Sequence, residues 1–512
     1  MPVWNVVRKG VYHDSVTLMR LTRDLESVRG VRRGAAMMGT PSNRALLRDA
    51  GLLTRDGDSA SPNDLIIAVE ADDMAAAHAA AQAAVTVLSA SRPATHTSPT
   101  MHRPRTLRAA LRMLDAANLA LISVPGLYAG FEAMKALGAG LHVMLFSDNV
   151  PVATEIELKR LALAKGLLMM GPDCGTAIVN GVPLGFANVL PGGRIGLAAA
   201  SGTGLQEVSC LIAAAGEGIS QAIGAGGRDL SDEVGGLMMS HALDILVADP
   251  ATEVVCMLGK PPGPRTWERL QAKLARLEKP CIVHCSGSVC DAGSSWHTAK
   301  TLEDAAQGAV ALARRLEPEP AEFTIPGVEI EPLIARATRL MQPDQRFVRG
   351  IYAGGTLAYE ALSLLQGTLR KGVPGKQGGD DGHSVIDLGD DRFTVGRPHP
   401  MIDGTLRREW ILKTAEDPST AVILLDVILG YGSHPDPAGE LLPAIEQATR
   451  QAQAAGRHLT VVASVCGTEQ DPQRRSAQIA ALHSHGVIVM PSNAQAARLA
   501  ASIAACLGER TS

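Results

Sequence analysis

Two short stretches carry residue types suited to holding a small anion. In "AASGTGLQEV" an apolar run ends at Ala200 and meets Ser201, Gly202, Thr203 and Gly204 before an amphipathic pattern begins. "YAGGTLAYEA" repeats the device at Gly354, Gly355 and Thr356. The first turn of a helix has backbone N–H groups without intrahelical partners and about half a unit of positive charge, so small residues there let an anion reach the backbone directly. Ser201, Thr203 and Thr356 add hydroxyls. The plainer alternative is that Ser201 and Gly354 merely start helices, because N-caps of this composition are common.

Other polar groups gather where strands should end. "GAGGRDLSDE" supplies Gly226, Gly227 and Arg228; "GRPHPMID" supplies Arg397, His399 and Asp403; "GYGSHPDPAGE" supplies His434, Asp436 and Glu440; "VCGTEQDP" supplies Cys466, Gly467 and Thr468. Arg228 beside glycines and Arg397 before Pro398 stand in rigid settings for bidentate anion binding. His399 and His434 have the chemistry of a general acid or base. The candidate catalytic set is therefore Arg228, Arg397, His399 and His434. The candidate phosphate set is Ser201, Gly202, Thr203, Gly204, Gly354, Gly355 and Thr356, and the candidate substrate contacts are Gly226, Gly227, Asp403, Cys466, Gly467 and Thr468. No metal is expected: Cys281, His284, Cys285 and Cys290 lack paired C-x-x-C spacing, and a strand points successive side chains to opposite faces. "GTGLQE" begins like a dinucleotide fingerprint but has Glu207 where the third glycine should stand, and no P-loop pattern occurs.

These residues need strands and helices to aim them, and the chain supplies both in alternation. A first segment, 1–97, has a strand at Leu65 to Glu70 and an alanine-rich helix, and it ends in a Ser/Pro/Thr-rich linker. Segment 105–192 alternates the strands "NLALISVP", "LHVMLFSD" and "GLLMMGP" with helices, as parallel βαβ units require. Segment 193–318 runs through "GRIGLAAA", "GISQAIG", "EVVCMLG" and "KPCIVHCSG". Segment 343–508 repeats it: "FVRGIYA" answers "RIGLAAA", Glu360 answers Glu207, and the helices should stop at Gly216 and Gly367 in left-handed caps. The stretch from "KGVPGKQGG" to "RPHPMID" reads as an insertion in the second copy. The fold expected is α/β and multi-domain: a small α+β N-terminal domain, a Rossmann-like domain, and two related flavodoxin-like domains with parallel sheets. If the two copies pack about a pseudo-twofold axis, their helix N-termini would face one anion from opposite sides.

Composition bounds the rest. The chain has 512 residues, 46% hydrophobic and 20% charged, with formal charge −4, which gives no reason to expect a nucleic-acid or membrane-surface partner. Without a signal-like N-terminus or a run of about 18 apolar residues, a cytoplasmic protein is expected. Its eight cysteines are too few for a disulfide framework.

Six motifs, "GPDCGTAIVNGVPLGFANVLPGGRIGLAAASGTGLQEVS", "SQAIGAGGRDLSDEVGG", "DLGDDRFTVGRPHPMID", "DVILGYGSHPDPAGE", "VVASVCGTE" and "VMPSNAQAARLA", together make the chain resemble the FdrA family of succinyl-CoA synthetase-like proteins over nearly its full length. Segments two and three resemble the synthetase's α subunit, and the fourth resembles the CoA-ligase domain of its β subunit. The resemblance implies phosphate contact at both Gly-Thr turns. It also implies partner subunits and carbamoyl transfer between carbamoyl phosphate and a small carboxylate such as oxamate, in allantoin breakdown. The chain departs from the synthetase in three places. The phosphorylated histidine's stretch reads "DAGSSWHTAKTLEDAA", the supporting glutamate's loop reads "LGKPPGP" with Lys260 in its place, and the CoA-binding glycine loop has no clear counterpart. On that basis no cofactor is required. CoA and ATP or ADP enter only under the alternative of an ADP-forming acyl-CoA synthetase, and a non-catalytic scaffold subunit is the third possibility.

Overall fold

The computed structural model describes residues 2–11, 13, 15–26, 28–90, 104–285, 295–320, 323, 329–369, 382–394 and 398–509. Chain packing separates two units, Met1–Ala110 with Asp391–Pro398, and Leu111–Asp390 with His399–Ser512.

The first unit holds an antiparallel sheet with Leu65–Ala71 between Val3–Arg8 and Val31–Met38. The central strand is apolar on both faces because each face has its own cover. Leu65, Ile67 and Val69 pack with Leu21, Leu25 and Ala81 of the helices Ser15–Glu26 and Met74–Ala90, while Ile66 and Ala68 pack with Leu47 and Leu52. This is the small α+β domain that the sequence suggests.

The second unit contains three sheets. Leu119–Ile122, His142–Leu145 and Met169–Met170 form a short parallel sheet. The next has the order His297–Thr298, Cys281–Cys285, Val254–Gly259, Gly192–Ala199, Ile219–Gly224, and a hairpin of Thr176–Val179 and Val182–Gly185. Its first five strands are parallel, and the hairpin joins antiparallel. That hairpin precedes residue 193, so the sheet reaches back across the boundary expected at 192. The third sheet is all parallel, in the order Ser384–Asp387, Phe347–Tyr352, Thr420–Ile428, Thr460–Cys466, Ile488–Met490. In chain order, the parallel core of the second sheet and the whole third sheet both read 2-1-3-4-5, the flavodoxin-like order.

Two expectations need correcting. The helix Gly355–Thr368 runs through Gly367 instead of stopping there, whereas Gly216 does take the left-handed cap at φ +82°. The supposed insertion contributes Ser384–Asp387, the third sheet's counterpart of Ile219–Gly224. Two apolar residues, Val385 and Ile386, set in polar and glycine-rich sequence carry too little periodicity to announce a strand. Only pairing with Phe347–Tyr352 reveals it.

The two flavodoxin-like halves share one core. Leu205, Val208 and Ile212 of helix Gly202–Ala214 and Leu302, Ala305 and Ala309 of helix Leu302–Ala313 are buried in the same cluster as Leu357, Ala361 and Leu365 of helix Gly355–Thr368 and Ala496, Ala500 and Ile503 of helix Asn493–Glu509. The seam has pseudo-twofold symmetry down to single hydrogen bonds. Glu207 of the first half accepts the N–H of Asn493 at 3.0 Å, at the start of the second half's last helix. Glu360, its repeat-mate, accepts the N–H of Leu302 at 2.6 Å, at the start of the first half's last helix. Each half thus caps a helix of the other, satisfying an amide that helix geometry leaves without a partner. This exchange explains why Glu207 stands where a dinucleotide fingerprint would have glycine.

Candidate functional site

The two Gly-Thr turns follow the first strand of each half, beside the reversal of strand order where open α/β sheets take ligands. They begin their helices by different means. Ser201, in extended backbone, accepts the N–H of Gly204 through its own Oγ at 3.0 Å. Gly354 has no side chain to do this, and the carboxylate of Asp426 reaches in from Thr420–Ile428 to accept the N–H groups of Ala353 (2.9 Å) and Gly354 (2.7 Å). Asp426 is completely buried, and Arg407 Nη2 holds it at 2.9 Å. Burial nonetheless raises its pKa, against the pull of Arg407 and the two amides.

The turns meet. Ser201 Oγ and Thr356 Oγ1 share a hydrogen bond of 2.6 Å. A Cβ on Gly354 would stand 3.1 Å from the methyl of Thr203, and one on Gly204 would stand 3.1 Å from the methyl of Thr356, so each turn's threonine packs on a glycine of the other. Added side chains would therefore wedge the helices apart. Ser201, Gly202, Thr203 and Gly355 stay half-buried, while Gly204, Gly354 and Thr356 are buried. The amide of Gly204 is already used, and helix geometry leaves the first-turn amides of Gly202, Thr203, Gly355 and Thr356 without an intrahelical partner. Two positive helix ends converge there.

Beside the second turn stands a residue that the sequence reading passed over. Asp387 ends the strand Ser384–Asp387, in register with Tyr352, and its Oδ1 accepts the N–H of Gly389 at 2.8 Å. Its Oδ2 lies 2.6 Å from where a Cβ on Gly355 would be, so glycine alone lets the carboxylate press against the helix start. Burial lifts Asp387 to about 6; Gly389 and Lys260 act to lower it, while Asp426 and Asp390 raise it further. His399 abuts the same loop: its Nε2 is 2.7 Å from a Cβ placed on Gly389. Nδ1 of His399 accepts the N–H of Met401 at 3.2 Å, which leaves the ring proton on Nε2. Burial, helped by Arg407, pushes His399 down to about 4.

The other expected residues are placed as follows. Arg228 forms an ion pair with Glu155 at 3.0 Å and donates to the carbonyl of Val150 at 2.7 Å. It closes a buried chain in which Lys159 bridges Glu155 and Asp229 at 2.7 Å each, joining the short parallel sheet's helix Val152–Ala164 to the loop after Ile219–Gly224. Gly226, at φ +91°, lets the backbone pass Pro172, whose carbonyl would be 2.5 Å from a Cβ, and Gly227 lies against Asp173. Arg397 falls outside the described residues. Asp403 accepts the N–H of Thr405 at 2.8 Å and starts the helix Thr405–Glu416. His434 accepts the N–H of Asp436 at 3.1 Å through Nδ1 and sets Nε2 3.8 Å from Glu440. Cys466 is buried, and its thiol is driven far up by the neighbouring thiol of Cys210 and by burial, so it is no nucleophile. Gly467 packs on Leu429, and Thr468 donates to the carbonyl of Val189 at 2.8 Å, tying the halves together. Asp426 and Arg407 belong to the junction as well; a charge inside the apolar run "AVILLDVILG" is the sequence signal for Asp426, since a central parallel strand is covered on both faces.

Comparison with known proteins agrees with this architecture. A family model described as "CoA-ligase" matches residues 351–503, and one described as "AllF, heavy metal-associated domain" matches residues 1–104. The "Uncharacterized protein YahF" of Escherichia coli is 38% identical over 522 residues, covering 99% of this chain and 100% of that protein. The "ADP-forming sulfoacetate-CoA ligase subunit SauD" of Bilophila wadsworthia is 27% identical over 38% of this chain and 68% of its own length. The "Succinate--CoA ligase [ADP-forming] subunit alpha" of Aquifex aeolicus is 29% identical over 35% of this chain and 59% of its own. The heavy-metal name does not fit the donors present. No cysteine precedes Cys174, so residues 1–104 offer no thiolate, and among the described residues no group of three His, Cys, Asp or Glu side chains could hold a metal. No described helix is long and apolar enough to cross a membrane.

Proposed function

The chain belongs to the FdrA-like, succinyl-CoA-synthetase-like family of CoA-ligase fold, and from that premise we propose that it is a subunit of an acyl-transfer enzyme. The phosphate of a small acyl phosphate sits where the helices Gly202–Ala214 and Gly355–Thr368 begin. The observation that carries this reading is the Ser201–Thr356 hydrogen bond of 2.6 Å, which brings two helix N-termini to one half-buried point. Positive helix ends and fixed amides stabilise phosphate as it departs, a task for which preorganised donors are effective.

The finer reading takes carbamoyl phosphate as donor and a small carboxylate such as oxamate as acceptor, with other subunits completing the enzyme and no cofactor of its own. Lys260, standing where the synthetase carries a supporting glutamate, favours a diffusible anion over a phosphohistidine. The names of the α-subunit relatives favour a second reading, an ADP-forming acyl-CoA ligase with CoA and nucleotide bound partly by partner subunits. One assay separates them. The chain with its partner subunits is given carbamoyl phosphate and oxamate, and separately ATP, CoA and a carboxylic acid. Release of phosphate with oxalurate in the first mixture supports carbamoyl transfer; acyl-CoA formed only in the second refutes it.

A further inference from the structure

A carboxylate beside a phosphate site is an electrostatic contradiction unless it handles a proton. Asp387 is such a group: one oxygen is held by Gly389, and the other is turned toward Gly355 and has no hydrogen-bond partner among the described residues. It is half-buried. His399, which abuts this loop at Gly389, spends Nδ1 on Met401 and keeps its proton on Nε2. It is a neutral donor with no lone pair to offer.

We propose that Asp387 is the general base of the site, accepting the proton of the incoming acceptor at Oδ2, with His399 supplying a neutral N–H against the same loop. The proposal rests on the acyl-phosphate reading. In the step, the acceptor's N–H or S–H proton passes to Asp387 Oδ2 while the acceptor's electron pair forms the new bond to the acyl carbon. The bond from that carbon to the phosphate oxygen breaks with its electron pair, and phosphate leaves onto the helix N-termini. The charges facing Asp387 suit the role. Lys260 approaches from the loop after Val254–Gly259, Asp426 from Thr420–Ile428 and Asp390 from its own loop, so one cation stands against two anions. Together with burial they bring Asp387 to about 6, ionised at neutral pH yet a much better base than an exposed aspartate. His399, at about 4, stays neutral throughout.

The test is Asp387→Asn in the full chain with its partner subunits, an isosteric change that keeps an oxygen for the Gly389 amide. Activity should fall by about 10²-fold or more. The rise of wild-type kcat/KM with pH through about 6 should disappear from the residual activity. Inorganic phosphate, followed by calorimetry, should bind the variant at pH 8 at least as tightly as wild type, because a negative charge has gone; this also shows that the variant is folded. A variant that binds phosphate, keeps activity within a few-fold and retains the pH limb overturns the assignment alone. Wild-type protein that fails to bind phosphate overturns the acyl-phosphate reading, and this assignment with it.

Discussion

Glu360 offers the sharpest quantitative test of the seam on which the junction depends. The side chain is completely enclosed: Oε1 accepts the Leu302 amide at 2.6 Å and Oε2 accepts Asn493 Nδ2 at 2.8 Å. Burial outweighs both hydrogen bonds and raises its pKa from 4.5 to about 7. Between those values the folded chain keeps a proton that the unfolded chain has released, so stability is greatest at the acid end, falls as pH rises through the window, and levels off above about 7. A difference of about 2.5 pH units is worth about 3 kcal/mol, of which about 2–3 kcal/mol falls between pH 5 and 8. Glu360→Gln keeps a carbonyl for Leu302 N–H and cannot titrate. Glu207 and Glu303, also raised by burial, act in the same direction in both proteins and largely cancel in the comparison. Urea unfolding of both proteins at pH 5, 6, 7 and 8 should show wild type losing about 2–3 kcal/mol more than the variant across that range. Equal pH dependence in the two proteins would refute the view that a buried, proton-holding carboxyl locks the halves together.

Further expectations concern the junction and its supports. Alanine at Thr203 or Thr356 should cut acyl transfer by about 10²-fold, the scale for removing one preorganised oxyanion donor, whereas a pure scaffold subunit would keep full activity in the reconstituted complex. Lys159→Met should destabilise the protein by about 3–5 kcal/mol in chemical unfolding, because it removes the buried ammonium that bridges the carboxylates of Glu155 and Asp229. Gly226→Ala should lower thermal stability and the yield of folded protein, since its φ of +91° and the Pro172 carbonyl 2.5 Å from the new methyl both resist the change. Cys466 should resist iodoacetamide in the native protein at pH 8 and react only on unfolding, as mass spectrometry would record.

Features written in consecutive residues were legible before any coordinates. "SGTG" and "GGT" announce helix starts because capping is a local matter of small residues, hydroxyls and the apolar run before them. The repeat is legible because two copies of one pattern of strands and helices recur in the same order. Other residues gained meaning only through partners far along the chain. Glu207 read as a failed glycine fingerprint, and its function is to cap a helix that begins 286 residues later. By sequence Arg228 is a candidate to bind a carboxylate, and Glu155 is the carboxylate that it pairs with in the fold. Asp387 sat inside an apparent insertion, because four residues cannot display a strand's periodicity without a neighbour.

The division follows from the range of the forces involved. Sequence alone determined the two anion-ready turns, the succession of βαβ units and the duplication, each set by hydrogen bonding and hydrophobic periodicity within a few residues. Tertiary structure decided that the turns meet at Ser201 and Thr356, that Asp426 and not a ligand occupies the amides entering the second turn, and that Asp387 stands beside them. Those outcomes depend on how two sheets and four helices close around a shared core. Burial and charge at that closure, which no local pattern records, set which carboxyl groups hold a proton.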